Sequence, residues 1–348
     1  AREFVKRRKL SFKLEPEFKF DPMTSSTTFV PKASFTTTVT TPGSEGSPQL
    51  TGPTLDELLE GCESALAELN FTVWILLDRL DVAFADSAEL EANALRALFK
   101  VYLDMKGLDR IKLKVFLRTD IWRRITASGF REASHITSSL TISWDEPALL
   151  NLVVRRVLQN VGVTVFYGVV APATILANSE EQEKFFYRVF PDNIEGAVRK
   201  PSTFGWIIGR VRDGTGQTAP REVIHLLTVA REEQLRKIEI GDGEPEGERL
   251  FTASAIKKAL PAVSRARLDQ TLYAEHASLK PSIEKLRGKK TSQSAATLAV
   301  LWGLSEQDAE SRAGELVTIG FFERKERSGV PEYWVPHLYR DGLDMVQG

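Results

Sequence analysis

Two carboxylates directly follow an apolar segment of the chain. Residues 71–77 read Phe-Thr-Val-Trp-Ile-Leu-Leu, Asp78 comes next, and Asp81 lies three residues further on. A buried strand of this composition would hold its terminal acid at the rim of a parallel sheet, where ligands gather. There Asp78 could hold Mg²⁺ directly or through water, and Asp81 could orient or deprotonate an attacking water. The alternative is a solvated turn that carries two acids.

A cation follows the next apolar segment. Residues 111–117 read Ile-Lys-Leu-Lys-Val-Phe-Leu and lead into Arg118, Thr119 and Asp120. The planar guanidinium of Arg118 suits the bidentate contacts that phosphate oxygens offer. In the alternative interpretation, Thr119 or Asp120 caps the helix that begins here, and both roles are compatible.

Three further arginines lie at or near predicted helix starts. Arg123 and Arg124 follow on the helix after Asp120, where one of them could act as an arginine finger toward a neighbouring subunit. Exposed arginines are commonplace on helices, and we favour that simpler role. Thr218-Ala219-Pro220 leads into Arg221, which either binds an anion or is the exposed side chain of a proline-initiated helix.

Histidine and cysteine chemistry finds little support. The four histidines, His135, His225, His276 and His337, show no metal-ligand spacing and no arrangement with a serine or cysteine typical of a hydrolase. Cys62 is the only cysteine, so the chain forms no internal disulfide and a reducing cytosol fits best. Cys62 falls in a predicted helix, where a small packed residue is the favoured interpretation.

Helices and strands alternate around the two acids and the arginine. The predicted order is a helix from Thr54 to Leu69, a strand over 71–77, a helix from Ser87 to about Met105, and a strand over 111–117. Near-continuous apolar strands between helices are typical of a parallel α/β sheet. A third strand is predicted within 135–144. Asp145 then caps a long helix that has Pro147 in its first turn.

The flanking regions have other patterns. Residues 10–20 alternate as in a strand or hairpin, residues 29–39 could also be β, and 43–53 form a loop. After residue 160 the pattern is helical, and 241–247, rich in glycine and acids, is a predicted hinge or linker.

The last 60 residues predict one further unit. Helices over 295–302 and 305–318 precede a strand at 321–325, a turn, and a return strand at 332–335, which is the order of a winged helix. The second helix carries Glu306, Asp308, Glu310 and Glu315 against Arg312 alone. These acids would repel phosphate, so a surface that packs on protein is favoured over a DNA reader. The basic segment 285–290 is the best remaining nucleic-acid candidate, and the alternative for it is a solvated loop.

Bulk properties exclude several classes. The chain has 348 residues, 27% of them charged, with a formal net charge of −1, which does not favour nonspecific binding of DNA or RNA. No apolar run reaches the ~18–20 residues needed to cross a bilayer. The basic start, residues 1–9, has no apolar segment after it and is not a signal peptide. It also lacks an initial Met, which agrees with a truncated or processed beginning.

The order of these motifs resembles the STAND branch of P-loop NTPases, near the NACHT and KAP groups. It is closer still to bacterial P-loop ATPases associated with antiphage defence. The resembling segments are Leu76-Leu77-Asp78-Arg79-Leu80-Asp81, Val115-Phe116-Leu117-Arg118-Thr119-Asp120-Ile121, Trp144-Asp145 with Arg155-Arg156 beyond, Thr218 to Arg221, and Tyr333 to Leu343. The resemblance covers roughly residues 55–348, and the order of the motifs is more specific than any single one.

The resemblance implies ATP and Mg²⁺ as cofactors. It makes Asp78 the Walker B acid and metal ligand, Asp81 a candidate for the following catalytic acid, and Arg118 the sensor 1 residue. It also implies nucleotide contacts by Thr119 and by Arg221, the latter as sensor 2. The implied fold is an α/β, partial P-loop NTPase core with a parallel sheet, followed by a helical lid and a C-terminal winged helix. The implied domains are a β-rich or loop segment of the core at 1–53, its Walker B half at 54–160, the lid at 161–240, and helices with the winged helix at 248–348.

Two departures from the family pattern matter. No G-x-x-x-x-G-K-[ST] occurs, and the nearest fragment, residues 288–292, lacks the upstream glycine. Asp78-Arg79 also stands where typical AAA+ enzymes have Asp-Glu, which leaves the catalytic base open. We expect a cytoplasmic, nucleotide-controlled switch in antiviral defence or signalling. Its expected partners are further copies of itself or a missing N-terminal NTPase portion, and an effector protein. The alternatives are a DNA-binding regulator or a scaffold, each built on a decayed NTPase core.

Overall fold

The computed structural model describes residues 7–21, 26–40, 54–80, 87–127, 129–196, 200–327 and 329–346, with backbone only for 7–40. The protein is α/β and mostly helical. It divides into two compact units, residues 1–141 and 142–348. No helix among the described residues combines the length and apolar character needed to cross a membrane. The finer domain boundaries implied by the resemblance stay predictions.

The first unit contains four strands and three helices within its described residues. They are β1 (Arg7–Asp21), β2 (Ser26–Thr40), α1 (Leu55–Glu68), β3 (Val73–Leu77), α2 (Ala88–Met105), β4 (Ile111–Val115) and α3 (Thr119–Ala127). β1 and β2 pair antiparallel along their full lengths, which confirms β structure at 10–20 and 29–39. The loop predicted at 43–53 lies outside the described residues.

β3 and β4 form a parallel pair. The register runs from Val73 opposite Ile111 to Leu77 opposite Val115. This pair confirms the predicted parallel arrangement, and two strands make up the whole sheet among the described residues. α2 and α3 meet in a small core in which the Phe99 and Trp122 rings lie 5.1 Å apart, edge to face.

The prediction of a strand within 135–144 is wrong. A short 3₁₀ turn covers Arg131–His135, and residues 136–145 belong to no strand. Leu140 and Ile142 are 90% and 69% exposed, so no neighbouring element covers their side chains. A β-prone sequence does not form a strand without a partner strand or a surface to pack on.

The second unit is mainly helical. Its helices are α4 (Glu146–Leu158), α5 (Val161–Phe166), α6 (Pro172–Leu176), α7 (Ser179–Val189), α8 (Thr203–Val211), α9 (Pro220–Glu239), α10 (Ala253–Arg267), α11 (Tyr273–Glu275), α12 (Lys280–Glu284), α13 (Ala295–Trp302), α14 (Glu306–Thr318) and α15 (His337–Arg340). Its strands are β5 (Ser292–Ser294), β6 (Glu323–Arg327) and β7 (Val330–Trp334). The predicted cap of α4 is confirmed, because Asp145 accepts a hydrogen bond from Ala148 N at 2.8 Å.

The pair α9 and α10 lies in the main core of this unit. Val223, Leu226 and Ala230 of α9 are fully buried, at the three- and four-residue spacing of one helix face. Ile256, Ala259 and Val263 of α10 repeat that spacing and are buried as well. The predicted hinge 241–247 connects these two helices. Within it, Gly243 O accepts a hydrogen bond from Gln234 of α9 at 3.0 Å.

The C-terminal elements follow the predicted order of helix, helix, strand, turn and strand. β5, which the sequence did not reveal, adds a third strand, and the sheet order is β5-β7-β6 with antiparallel pairs. β5 has only three residues and follows a basic segment, so it produces no apolar alternation to detect.

The backbone of the loop before α9 lies in close contact with the backbone of the segment before β6. Gly214 N donates to Gly320 O at 2.7 Å. A Cβ at position 214 would lie 2.3 Å from Phe322 O, so only glycine fits there. Gly320 has φ +78°, a left-handed conformation that also favours glycine.

Candidate functional site

Asp78 and Arg118 lie at the same edge of the parallel sheet. Asp78 is the first residue after β3, and Arg118 follows the end of β4 by three residues. Phe116 N donates to Leu77 O at 2.9 Å, which keeps the two chain ends side by side beyond the strands. Both side chains are exposed. The structure therefore brings these two predicted site residues to one rim, as the sequence indicated.

The chain turns sharply after Asp78. Arg79 has φ +55°, which is uncommon for a residue other than glycine, and its backbone N–H donates to Asp78 Oδ1 at 2.8 Å. Asp81 lies outside the described residues. Among the residues that are described, no cluster of three or more His, Cys, Asp or Glu side chains could hold a metal. A Mg²⁺ at Asp78 would accordingly take most of its ligands from water and phosphate, as this ion commonly does.

Arg118 makes a bidentate contact with Asp120. Its Nε and Nη2 donate to the two carboxylate oxygens, each at 3.1 Å. Burial would raise the pKa of Asp120, but the hydrogen bonds and charge of Arg118 outweigh it and hold this pKa below its ordinary value. Asp120 is thus ionised at neutral pH. The fork that suits phosphate is already engaged by a carboxylate of the same segment.

The other candidates in this unit lie on its helices. Thr119 is the first residue of α3. Arg124 forms an ion pair with the buried carboxylate of Glu91 on α2, which supports the simpler, structural role for this arginine. Cys62 is half-buried in α1, and burial raises the pKa of its thiol, so it is poorly suited to act as a nucleophile.

The strand that carries Asp78 has little cover. Trp74 and Leu76, which share one face of β3, are 64% and 59% exposed, and Val73 and Ile75 on the other face are 41% and 38% exposed. Lys114 Nζ lies 4.9 Å from the centre of the Trp74 ring. Parallel sheets normally have both faces buried. The exposed apolar faces therefore mark β3 as a surface suited to further packing.

Arg221 belongs to the second unit. It is the second residue of α9, after Pro220, and its side chain is 67% exposed. Its Nη2 donates to Thr271 Oγ1 at 3.0 Å, and its Nε lies 3.4 Å from Glu222 Oε1. The predicted proline-initiated helix is confirmed, and Arg221 has defined contacts within its own unit.

A cavity of about 210 Å³ lies beside Arg221. Its polar lining consists of Arg221, Glu222, His225, Arg267, Gln270 and Thr271. Glu222, Arg267 and Thr271 were not among the residues predicted from the sequence. An acid directly after Arg221 was visible in the sequence, whereas nothing in it brought residues 267 and 271 next to position 221.

Comparison with known proteins identifies no relative. No protein-family model matches the chain, and neither the curated proteins nor the solved structures searched contain a match.

Proposed function

We propose that the chain is the Walker B half, lid and C-terminal module of a STAND-like P-loop ATPase. It would act as a nucleotide-controlled conformational switch. The observation that carries this proposal is the placement of Asp78 and Arg118 at the ends of adjacent parallel strands. A metal-binding acid and a phosphate-binding cation at one rim are two of the parts that hydrolysis of a nucleoside triphosphate requires.

Each residue has a role in this proposal. Asp78 holds Mg²⁺, which neutralises charge on the phosphates, and Asp81 is the candidate that orients the attacking water. When ATP binds, the guanidinium of Arg118 releases the carboxylate of Asp120 and binds a phosphate oxygen instead. Thr119, the next residue, also contacts the nucleotide. The resemblance gives Arg221, in the second unit, the role of a sensor 2 phosphate contact.

The phosphate cradle must come from another segment or chain. The sequence has no Walker A motif, and the apolar faces of β3 are exposed. An N-terminal NTPase portion with helices that pack on this sheet would bury Trp74 and Leu76, and it would supply the missing loop. Assembly into a homo-oligomer is the other arrangement we consider.

The C-terminal elements support a winged helix as partner surface. The order α12, β5, α13, α14, β6, β7, with β5 paired to β7, supports the proposal of a winged helix-turn-helix. Ala309, Ala313 and Leu316 bury one face of α14, which leaves its acids largely exposed. An acidic second helix fits an effector protein better than DNA. We place this switch in cytoplasmic antiphage defence or signalling.

ATP turnover by the longest native gene product tests the proposal. Asp78→Ala should lower turnover at least about 100-fold, because a lost metal contact removes several kcal/mol of charge stabilisation. Asp104→Ala, an exposed acid near the end of α2, is the matched control and should retain turnover. Equal turnover in both variants, or no ATP binding by the native product, would contradict the ATPase.

The DNA-binding alternative has its own test. A gel shift of the same preparation at ~50 mM salt should show no retarded duplex, since phosphate contacts are strongest at low salt. A salt-sensitive shift would favour that alternative. Partner binding that is the same with and without ATP would favour a scaffold.

A further inference from the structure

We infer that Thr271 and the buried Glu222–Arg267 ion pair are positioning residues for Arg221, and that they hold its guanidinium ready for a phosphate group at the cavity beside it. This inference rests on the proposed function and deepens it. It assigns a task to three side chains that the sequence analysis did not single out.

The first anchor is the hydroxyl of Thr271. This residue is 8% exposed, whereas the side chain of Arg221 is 67% exposed. The 3.0 Å hydrogen bond from Arg221 Nη2 to Thr271 Oγ1 therefore restrains a long, exposed side chain by joining it to a buried hydroxyl. An exposed arginine without such an anchor would lose its rotamer freedom only on meeting the ligand, which weakens binding.

A wide helical turn brings Thr271 to this place. Between α10 and α11, residues Leu268–Leu272 form a π-turn, in which Tyr273 N bonds back to Leu268 O. Such a turn inserts one residue and rotates the helix face that follows. Turns of this type are uncommon and often lie at functional sites. In a regular α-helix, residue 271 would not occupy this position relative to α9.

The second anchor is Glu222. Its carboxylate is almost fully buried, with the side chain 5% exposed, and Oε1 accepts from Arg267 Nη1 at 3.0 Å. The same oxygen lies 3.4 Å from Arg221 Nε. Arg267 balances the charge of Glu222, so the pair orients Arg221 without cancelling its positive charge. That charge remains available for an anion beside the cavity.

A substitution of Thr271 in the longest native gene product tests this inference. Thr271→Val keeps the shape and removes the hydroxyl, and it should raise KM for ATP about three- to tenfold with kcat nearly unchanged. Thr271→Ser retains the hydroxyl and should keep KM close to the native value. Thermal unfolding of both variants, measured alongside, shows that they are folded.

A double-mutant cycle separates positioning from a merely structural role. In an Arg221→Ala background, Thr271→Val should change KM no further, because no guanidinium is left to orient. An equal rise in KM in both backgrounds, or no rise in the native background, would overturn the inference. Loss of turnover in Asp78→Ala with an unaffected Thr271→Val would refute the positioning role alone. Absence of turnover in the native product would end the proposed function and this inference together.

Discussion

The two units carry their candidate residues on different kinds of support. Asp78 and Arg118 extend from a two-stranded sheet, and Trp74 and Leu76 beside them are more than half exposed. Arg221 instead begins a helix whose inner face, including Leu226, is fully buried. The first unit thus presents its charges on a scaffold that lacks cover, whereas packing within the second unit fixes the base of Arg221. This contrast indicates that the strand tips would gain cover from a further packed segment, whereas the helix that carries Arg221 is already covered within its own unit.

The largest expected effect concerns packing. Leu226→Ala should lower the free energy of unfolding of the second unit by about 2–5 kcal/mol, because it leaves a cavity in a closed core. Leu76→Ala removes the same atoms from an exposed strand and should cost about 0.5 kcal/mol or less. Denaturant unfolding followed by circular dichroism measures both. A similar loss of unfolding free energy in the two variants would mean that Leu76 is buried. The two units would then not differ in how well their candidate residues are supported.

A smaller effect should appear in the pH dependence of stability. His337 lies in a half-buried site against Arg210, with Nε2 2.7 Å from Arg210 Nη1. Burial, aided by the charges of Arg340 and Arg210, lowers the pKa of His337 from 6.5 to about 4. The unfolded chain takes up this proton near pH 6.5 and the native protein only near pH 4. The contribution of His337 is therefore complete above pH 6.5 and declines as pH falls to 4.

The substitution His337→Gln should flatten this dependence by about 1–3 kcal/mol across that window. Thermal unfolding recorded from pH 7 to pH 4 provides the measurement, and His135→Gln in the first unit is the matched control. An unchanged slope in His337→Gln would show that the imidazole titrates as it does in the unfolded chain.

The smallest effect is expected at the strand-tip ion pair. The side chains of Arg118 and Asp120 are 45% and 56% exposed, so solvent screens their attraction. Asp120→Asn should change the free energy of unfolding by only about 0.2–1 kcal/mol. The same variant releases the fork of Arg118 and should strengthen ATP binding by the native gene product. Weaker ATP binding would show that Asp120 itself takes part in the site.

Local signals predicted the elements well where the responsible interactions lie close in sequence. Thr54, Asp145 and Ser305 each accept a backbone hydrogen bond from the first turn of the helix that follows, and the cap by Asp145 was predicted from the sequence. The strand before Asp78 was also visible, because its apolar run is nearly continuous. The meeting of Asp78 and Arg118 at one rim follows from parallel pairing alone.

Long-range packing was not visible in the sequence. The predicted strand within 135–144 does not form because no element covers Leu140 or Ile142. The partners of Arg221 could not be identified either, since Thr271 reaches it only through the π-turn between α10 and α11. Both cases depend on how distant segments meet, and the sequence pattern of one segment does not contain that information.

The close approach at Gly214 limits how this molecule can move. The loop that holds Gly214 continues within a few residues into Pro220 and Arg221, while Gly320 and Phe322 lead into β6. With no side chain between the two backbones, neither segment can slide past the other without breaking the bond. A shift of the loop before α9 relative to β6 would therefore break this hydrogen bond or force the two backbones into a clash. The hydrogen bond between Gly214 and Gly320 thus links the loop before α9 to the segment before β6.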